Sequence, residues 1–162
     1  MTKLRIYLDT SVISFLFADG APEKRDLTRE FFEGYVAPRV HEVWISGVVI
    51  RELRRTRDAA HRSELLAVVT KYKLERLPME PEEQVVALAE AYVREGVIPE
   101  KKYDDALHVA VSTMRGMDVL VSWNFQHLAN VSRERRVSAV NEANGYFRLL
   151  RITTPLEVMN HE

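Results

Sequence analysis

The stretch Leu4-Arg5-Ile6-Tyr7-Leu8-Asp9-Thr10-Ser11 sets the reading of the whole chain. Residues 4–8 are apolar and partly β-branched, with one charge, as a buried strand would be. The run stops at an acid followed by two small hydroxyl residues. That marks a strand-to-helix corner, because Ser and Thr oxygens satisfy the free N–H groups of a helix start. Ligands in open α/β sheets bind outside the carboxyl ends of the strands. Asp9 therefore stands where chemistry sits in such a sheet. Its other possible role is to cap the following helix, and the pattern alone leaves both open.

Outward from this corner, strands and helices alternate. Residues 11–17 read as a short buried helix, broken by Asp19-Gly20-Ala21-Pro22. Residues 23–36 carry Leu27, Phe31, Phe32 and Tyr35 at helical spacing. Val43-Trp44-Ile45 reads as a second strand, and Ser46-Gly47 turns it into a helix over 48–54. A helix from Arg57-Asp58 to about residue 72 and a strand over 74–77 follow. Residues 82–95 form a helix ended by Gly96. The next helix spans 102–115 and stops at Gly116, and Val119-Leu120-Val121 is a fourth strand. A turn over 125–130, a helix over 132–144, a strand over 149–153 and a turn started by Pro155 complete the chain. This order implies an α/β fold with a mainly parallel sheet, in one domain over 1–162.

Composition narrows the function. The 162 residues contain 46 % hydrophobic residues, enough for a real core. Lys plus Arg is 23 against 24 Asp plus Glu, a formal charge of −1, so any polyanion site must be a local patch. There is no cysteine, which excludes disulfides, Cys-ligated zinc and thiol catalysis, and fits a reducing cytoplasm. No apolar run approaches the ~18 residues of a membrane span, and the first residues enter a strand pattern without a signal-peptide core. A cytoplasmic location with no membrane is therefore expected. The six glycines form no phosphate loop and no Gly-x-Ser-x-Gly elbow. A phosphatase-type Asp-x-Asp pair would need an acid at Ser11.

Three acids occupy element ends. Asp9 ends the first strand, Glu52 lies one turn into the helix after the second, and Asp105 lies near the start of the helix over 102–115. If they converge, their charges repel, and one keeps its proton unless a cation sits between them. A hard divalent ion suits such oxygen ligands; Mg²⁺ takes few carboxylates and keeps several waters. It acidifies bound water and offsets charge on a phosphoryl oxygen. The alternative is that these acids, among 24, belong to solvated surface.

Four segments in this order, Tyr7-Leu8-Asp9-Thr10-Ser11, Ser46-Gly47-Val48-Val49-Ile50-Arg51-Glu52-Leu53, Asp105-Ala106-Leu107-His108-Val109-Ala110 and Leu120-Val121-Ser122-Trp123-Asn124, resemble the PIN-domain nucleases, in particular the VapC-like toxin branch. The resemblance runs from Ile6 to about Val158. It implies a three-layer α/β/α sandwich around a parallel sheet of four to five strands. It also implies metal-dependent endoribonuclease activity on RNA, with Asp9, Glu52 and Asp105 as ligands of Mg²⁺ or Mn²⁺. Ser11 would bond the acids in the same site. A toxin of this kind acts with a separately encoded antitoxin that blocks the site, and as a homodimer. Many PIN domains carry a fourth acid where this chain has Asn124, and some carry Ser-Trp-Asn here. An amide can orient a water or a ligand but brings no charge, which argues against a tightly held second metal. The other reading the resemblance allows is a PIN-fold RNA-binding or interaction module that hardly cleaves.

The remaining candidates are weaker. Asp104 points about 100° away from Asp105 on a helix; the motif selects Asp105, leaving Asp104 to favour the helix start or reach His108. His41, His61, His108, His127 and His161 show no metal-ligand spacing, and His108 reads as a hydrogen-bonded wall of the site. The clusters Arg51/Arg54/Arg55/Arg57, Lys101/Lys102 and Arg133/Arg135/Arg136 could grip phosphates or be solvated faces. Trp44 reads as core. Trp123, at a strand end, reads as the better base-stacking residue.

Overall fold

The computed structural model describes residues 2–160; Met1, His161 and Glu162 lie outside the described residues. Five parallel strands form one sheet in the order β3-β2-β1-β4-β5. These are β1 (Arg5–Leu8), β2 (Glu42–Ile45), β3 (Glu75–Arg76), β4 (Val119–Val121) and β5 (Arg151–Thr153). Helices cover the sheet on both faces, the three-layer α/β/α sandwich that the resemblance implies.

The opening strand is the centre of the sheet. Ile6 aligns with Val43 on one side and Val119 on the other, and Tyr7 with Trp44 and Leu120. Ile6, Tyr7 and Leu8 are fully buried, which explains why β1 is apolar after Arg5. Strand order reverses beside β1: the chain moves outward through β2 and β3, then returns to β4 on the other side. The tips of β1 and β4 thus form a switch point, where a crevice opens at the carboxyl edge.

The helices are α1 (Thr10–Ser14), α2 (Pro22–Phe31), α3 (Gly47–Arg54), α4 (Ala59–Lys71), α5 (Glu82–Arg94), α6 (Tyr103–Met114), α7 (Val131–Ala143) and α8 (Pro155–Met159). Local chemistry fixes several starts. The Ser46 hydroxyl accepts from Val48 N at 3.2 Å to cap α3, and the Asn130 amide oxygen accepts from Arg133 N at 2.9 Å to cap α7. At the ends of α5 and α6, Gly96 and Gly116 take φ of +70° and +66°, a conformation that strains side chains other than glycine's. The core binds the layers together, with Tyr7, Ile13, Phe31, Phe32, Tyr92 and Leu120 completely buried. Each such side chain contributes about 1.5–3 kcal/mol by leaving water.

Several boundaries differ from the sequence reading. The helix over 11–17 is α1 followed by a 3₁₀ turn, Phe15–Phe17, and the segment 23–36 is α2 continued by a π-turn, Phe32–Val36. The third strand shrinks to two exposed residues, because β3 is an edge whose flanking Leu74 and Leu77 alone are buried. The last strand starts at Arg151, leaving Leu149 62 % exposed, and the Pro155 turn is a short helix capped by Thr154. Trp44 is half-buried against the core rather than within it.

Candidate active site

The corner after β1 is built by backbone first. Asp9 N donates to Val121 O at 3.2 Å, which pins the acid between the tips of β1 and β4. Asp9 stands at the cap position of α1, yet its side chain makes no capping bond. Its Oδ1 instead accepts from the Ser11 hydroxyl at 2.5 Å, and the Ser122 hydroxyl also bonds the carboxylate. The Ser11 oxygen in turn accepts from Trp123 N at 3.0 Å, tying the first corner to the fourth strand's tip. Asp9 is only 3 % exposed. Burial pushes its carboxyl above the ordinary range, against the opposing effects of His108 and the two serines.

Asp105, on the first turn of α6, faces the same crevice. Burial, then the negative charge of Asp9, raises its carboxyl to about 6. Asn124, beyond β4, donates from Nδ2 to Asp105 Oδ2 at 3.2 Å, while its Oδ1 accepts from His127 N at 3.1 Å. The second bond fixes which way the amide points. Asp104 turns away: its two carboxylate oxygens accept from Arg51 and Arg55, each at 2.7 Å. Those guanidiniums outweigh its burial and hold its carboxyl below the usual range. It therefore does not reach His108, and two arginines of the basic cluster have a carboxylate partner.

Glu52 reaches the site from α3, and a buried polar chain holds it. Its Oε1 accepts from the Thr10 hydroxyl at 2.7 Å and meets His108 Nε2 at 2.6 Å. His108 Nδ1 lies 2.6 Å from the Tyr7 hydroxyl, itself 2.7 Å from Ser46 Oγ. Burial alone would raise Glu52 and lower His108. The contact between them, aided by Thr10 and the other acids, reverses both, holding the carboxyl low and the imidazole high. A protonated His108 donates from both ring nitrogens, to Glu52 and to Tyr7, and Tyr7 donates to Ser46. Burial raises the Tyr7 pKa well above 10, so it remains a neutral donor.

The PIN domain family matches residues 6–134 of the chain. The chain belongs to the PIN domain family. None of the curated proteins matches it. PIN domains are generally metal-dependent nucleases, so the donor set bears on whether this one suits an ion. Among the described residues, no three His, Asp or Glu side chains form a group already set to enclose a metal. An ion that keeps most of its waters needs only one or two protein carboxylates. Asp9 and Asp105 offer oxygen donors, and neither has an ion pair with Lys or Arg among the described residues. Their chemistry fits a hard divalent cation, whose charge would offset the burial and the acid–acid repulsion that raise them.

The structure thus brings Asp9, Ser11, Asp105 and Asn124 of this PIN domain together, and places Glu52 beside them, bonded to His108. His108 is a buried, bonded wall residue, as expected. Trp123 is not a stacking surface: it is 5 % exposed and its indole Nε1 donates to Thr28 Oγ1 at 2.8 Å. Sequence reasoning missed Thr10, Tyr7, Ser46 and Ser122. The available signal was Tyr7, whose hydroxyl needs a partner inside an otherwise apolar strand. A cavity of about 620 Å³ lined by Leu4, Asp118, Leu149, Arg151 and Leu156 lies at the opposite edge of the sheet and holds none of these acids.

Proposed function

We propose that this PIN domain is a Mg²⁺- or Mn²⁺-dependent endoribonuclease hydrolysing RNA phosphodiester bonds. One observation carries the reading: two buried carboxylates, Asp9 and Asp105, stand at the switch point with raised pKa values and, among the described residues, no ion pair to Lys or Arg. A structural acid is matched by an ion pair of the chain, as Asp104 is by Arg51 and Arg55. In this reading Asp9, Asp105 and Glu52 hold the ion, as the resemblance implies. When bound, the ion would supply Lewis acidity toward the scissile phosphate and its attacking water. The chain's own residues set the geometry. Ser11 fixes the Asp9 rotamer, Asn124 fixes Asp105 without adding charge, and His108 with Thr10 fixes Glu52. Lys101, Lys102 and Arg133 lie near enough to His127 to depress its pKa, after the effect of burial, and offer positive charge beside Asn124 for the RNA backbone.

The resemblance supports a narrower role: the toxin of a type II toxin–antitoxin pair, acting in the cytoplasm as a homodimer. Its cognate antitoxin would cover the acidic corner. Among the described residues no helix is long and apolar enough to cross a membrane.

The test is cleavage of a mixed RNA pool with Mn²⁺, with Mg²⁺ and with EDTA, for wild type, Asp9→Asn and Asp105→Asn, each checked by thermal melting. Metal-dependent cleavage lost in both folded variants supports the reading. No cleavage by wild type, or cleavage that survives both substitutions, sinks it. Asn124 in place of a fourth acid favours the second reading, a non-cleaving RNA-binding module. Such a module would keep its RNA affinity with both acids neutralised.

A further inference from the structure

Three aromatic rings and one lysine lie directly beside the acidic corner. Phe15 follows α1, and Trp123 and Phe125 flank Asn124. The buried Trp123 ring sits between the other two, with centroids 6.0 Å from each. Its backbone N–H is bonded to Ser11, so the row is keyed to the site. Phe125, at the outer end, is 47 % exposed one residue after a site residue. The Lys24 ammonium, from α2, lies over all three faces, 5.0 Å from the Phe125 centroid, 5.6 Å from Phe15 and 5.8 Å from Trp123. Lys24 makes no ion pair among the described residues. A cation held only by ring faces, with no carboxylate to neutralise it, keeps its charge available for an anion.

Building on the RNA-directed reading above, we infer that Phe125 is the base-stacking platform for a nucleotide flanking the scissile phosphate, and that Lys24 binds that nucleotide's phosphate. Lys24 lies over the Phe125 ring, and the exposed part of the residue offers the base a surface without sequence preference, because every base has a π-face. Trp123, packed behind it and bonded to Thr28, makes the platform rigid. Stacking at Phe125 places the adjoining phosphodiester toward Asn124 and Asp105, so the platform sets the register of the strand on the acids. Phe125 and Lys24 are positioning residues.

The experiment measures affinity for a fluorescein-labelled single-stranded RNA in EDTA, where metal-dependent cleavage is off, and KM and kcat for cleavage in Mn²⁺. Wild type, Phe125→Ala, Phe125→Tyr, Lys24→Gln and Phe147→Ala are compared. Phe147, 78 % exposed before β5, controls for loss of any surface aromatic. Phe125→Ala should weaken binding about tenfold or more, the range of one lost base stack. It should raise KM with little change in kcat, and Phe125→Tyr should restore both. Lys24→Gln should lower the slope of log affinity against log salt by about 0.7, one phosphate contact on a single strand. Equal affinity for wild type and Phe125→Ala, equal losses in Phe125→Ala and Phe147→Ala, or no RNA affinity in the wild type would each overturn the platform. Phe125-dependent binding without any cleavage would uphold the platform and overturn the nuclease reading. Cleavage with an unchanged KM in Phe125→Ala would do the reverse.

Discussion

Asp9 and Asp118 lie at opposite ends of the same two strands, and their surroundings are opposite too. Asp118, just before β4, accepts from Arg5 N at 2.8 Å and pairs with Arg148 at 2.7 Å. Although burial opposes it, these partners hold its carboxyl below the usual range. Asp9, at the tip of β1, is buried with only hydroxyls, a histidine and other acids nearby, and its carboxyl is raised. Asp104 and Asp105 repeat the contrast within one helix turn: the first is clamped by two arginines, the second rises to about 6. An acid that serves the fold receives its counter-charge from the chain. An acid buried without a Lys or Arg partner costs stability.

The largest effect that could break this contrast is on activity. Asp9→Asn or Asp105→Asn should reduce metal-dependent RNA cleavage by more than the 10–100-fold typical of residues that only support a metal ligand, with folding intact by thermal melt. Asp118→Asn should leave kcat and KM unchanged. Cleavage lost in Asp118→Asn at full stability would erase the distinction between the two ends.

Stability should move the other way, and with pH. The Asp105 carboxyl has a folded pKa of about 6 against an ordinary value of 3.8. Its ionisation therefore destabilises the fold progressively as pH rises from about 4 to about 6, and fully above that. Without metal, Asp105→Asn should stabilise the fold at pH 7.5 by on the order of 1–2 kcal/mol, read as a higher melting temperature. That gain should vanish near pH 4. Added Mn²⁺ should stabilise the wild type more than the variant. For Asp118, held low, the sign reverses: its stabilisation is complete above the ordinary aspartate range and is lost as pH falls through the folded value. Asp118→Asn should cost about 1 kcal/mol at neutral pH, where the pair is partly solvent-screened, and less in acid. Melting curves across pH 4–8 for both variants check the two opposed slopes.

The smallest expected effect sharpens the role of Glu52, which stands between the two types of acid. Thr10→Val removes one of its two bonds while the His108 contact remains. It should reduce cleavage severalfold and stability by about 0.5–1.5 kcal/mol. An unchanged rate, measured as single-turnover cleavage, would show that Glu52 needs no holding by Thr10.

Much of this was legible in the sequence. The apolar Ile6-Tyr7-Leu8 ending at Asp9 is what a central parallel strand requires, since both faces are covered, and the alternation of strands with helices set the α/β class. Helix starts at Ser46 and helix ends at Gly96 and Gly116 follow from local backbone chemistry. The sequence also carried Asp9, Glu52, Asp105, Asn124 and Ser11 as motif members, because chain order and spacing survive without coordinates. Only the tertiary structure decided which charges meet. Asp104 and Asp105 are adjacent and chemically identical, and their fates diverge because one faces Arg51 and Arg55 across from α3 and the other faces Asp9. Trp123 read as the stacking residue from its place at a strand end, and packing against α2 buried it while Phe125, two residues on, is exposed. The chain from Ser46 through Tyr7 and His108 to Glu52 joins residues as many as 101 positions apart. Burial and long-range contact fix the charge state of an acid, and neither is a property of its neighbours along the chain.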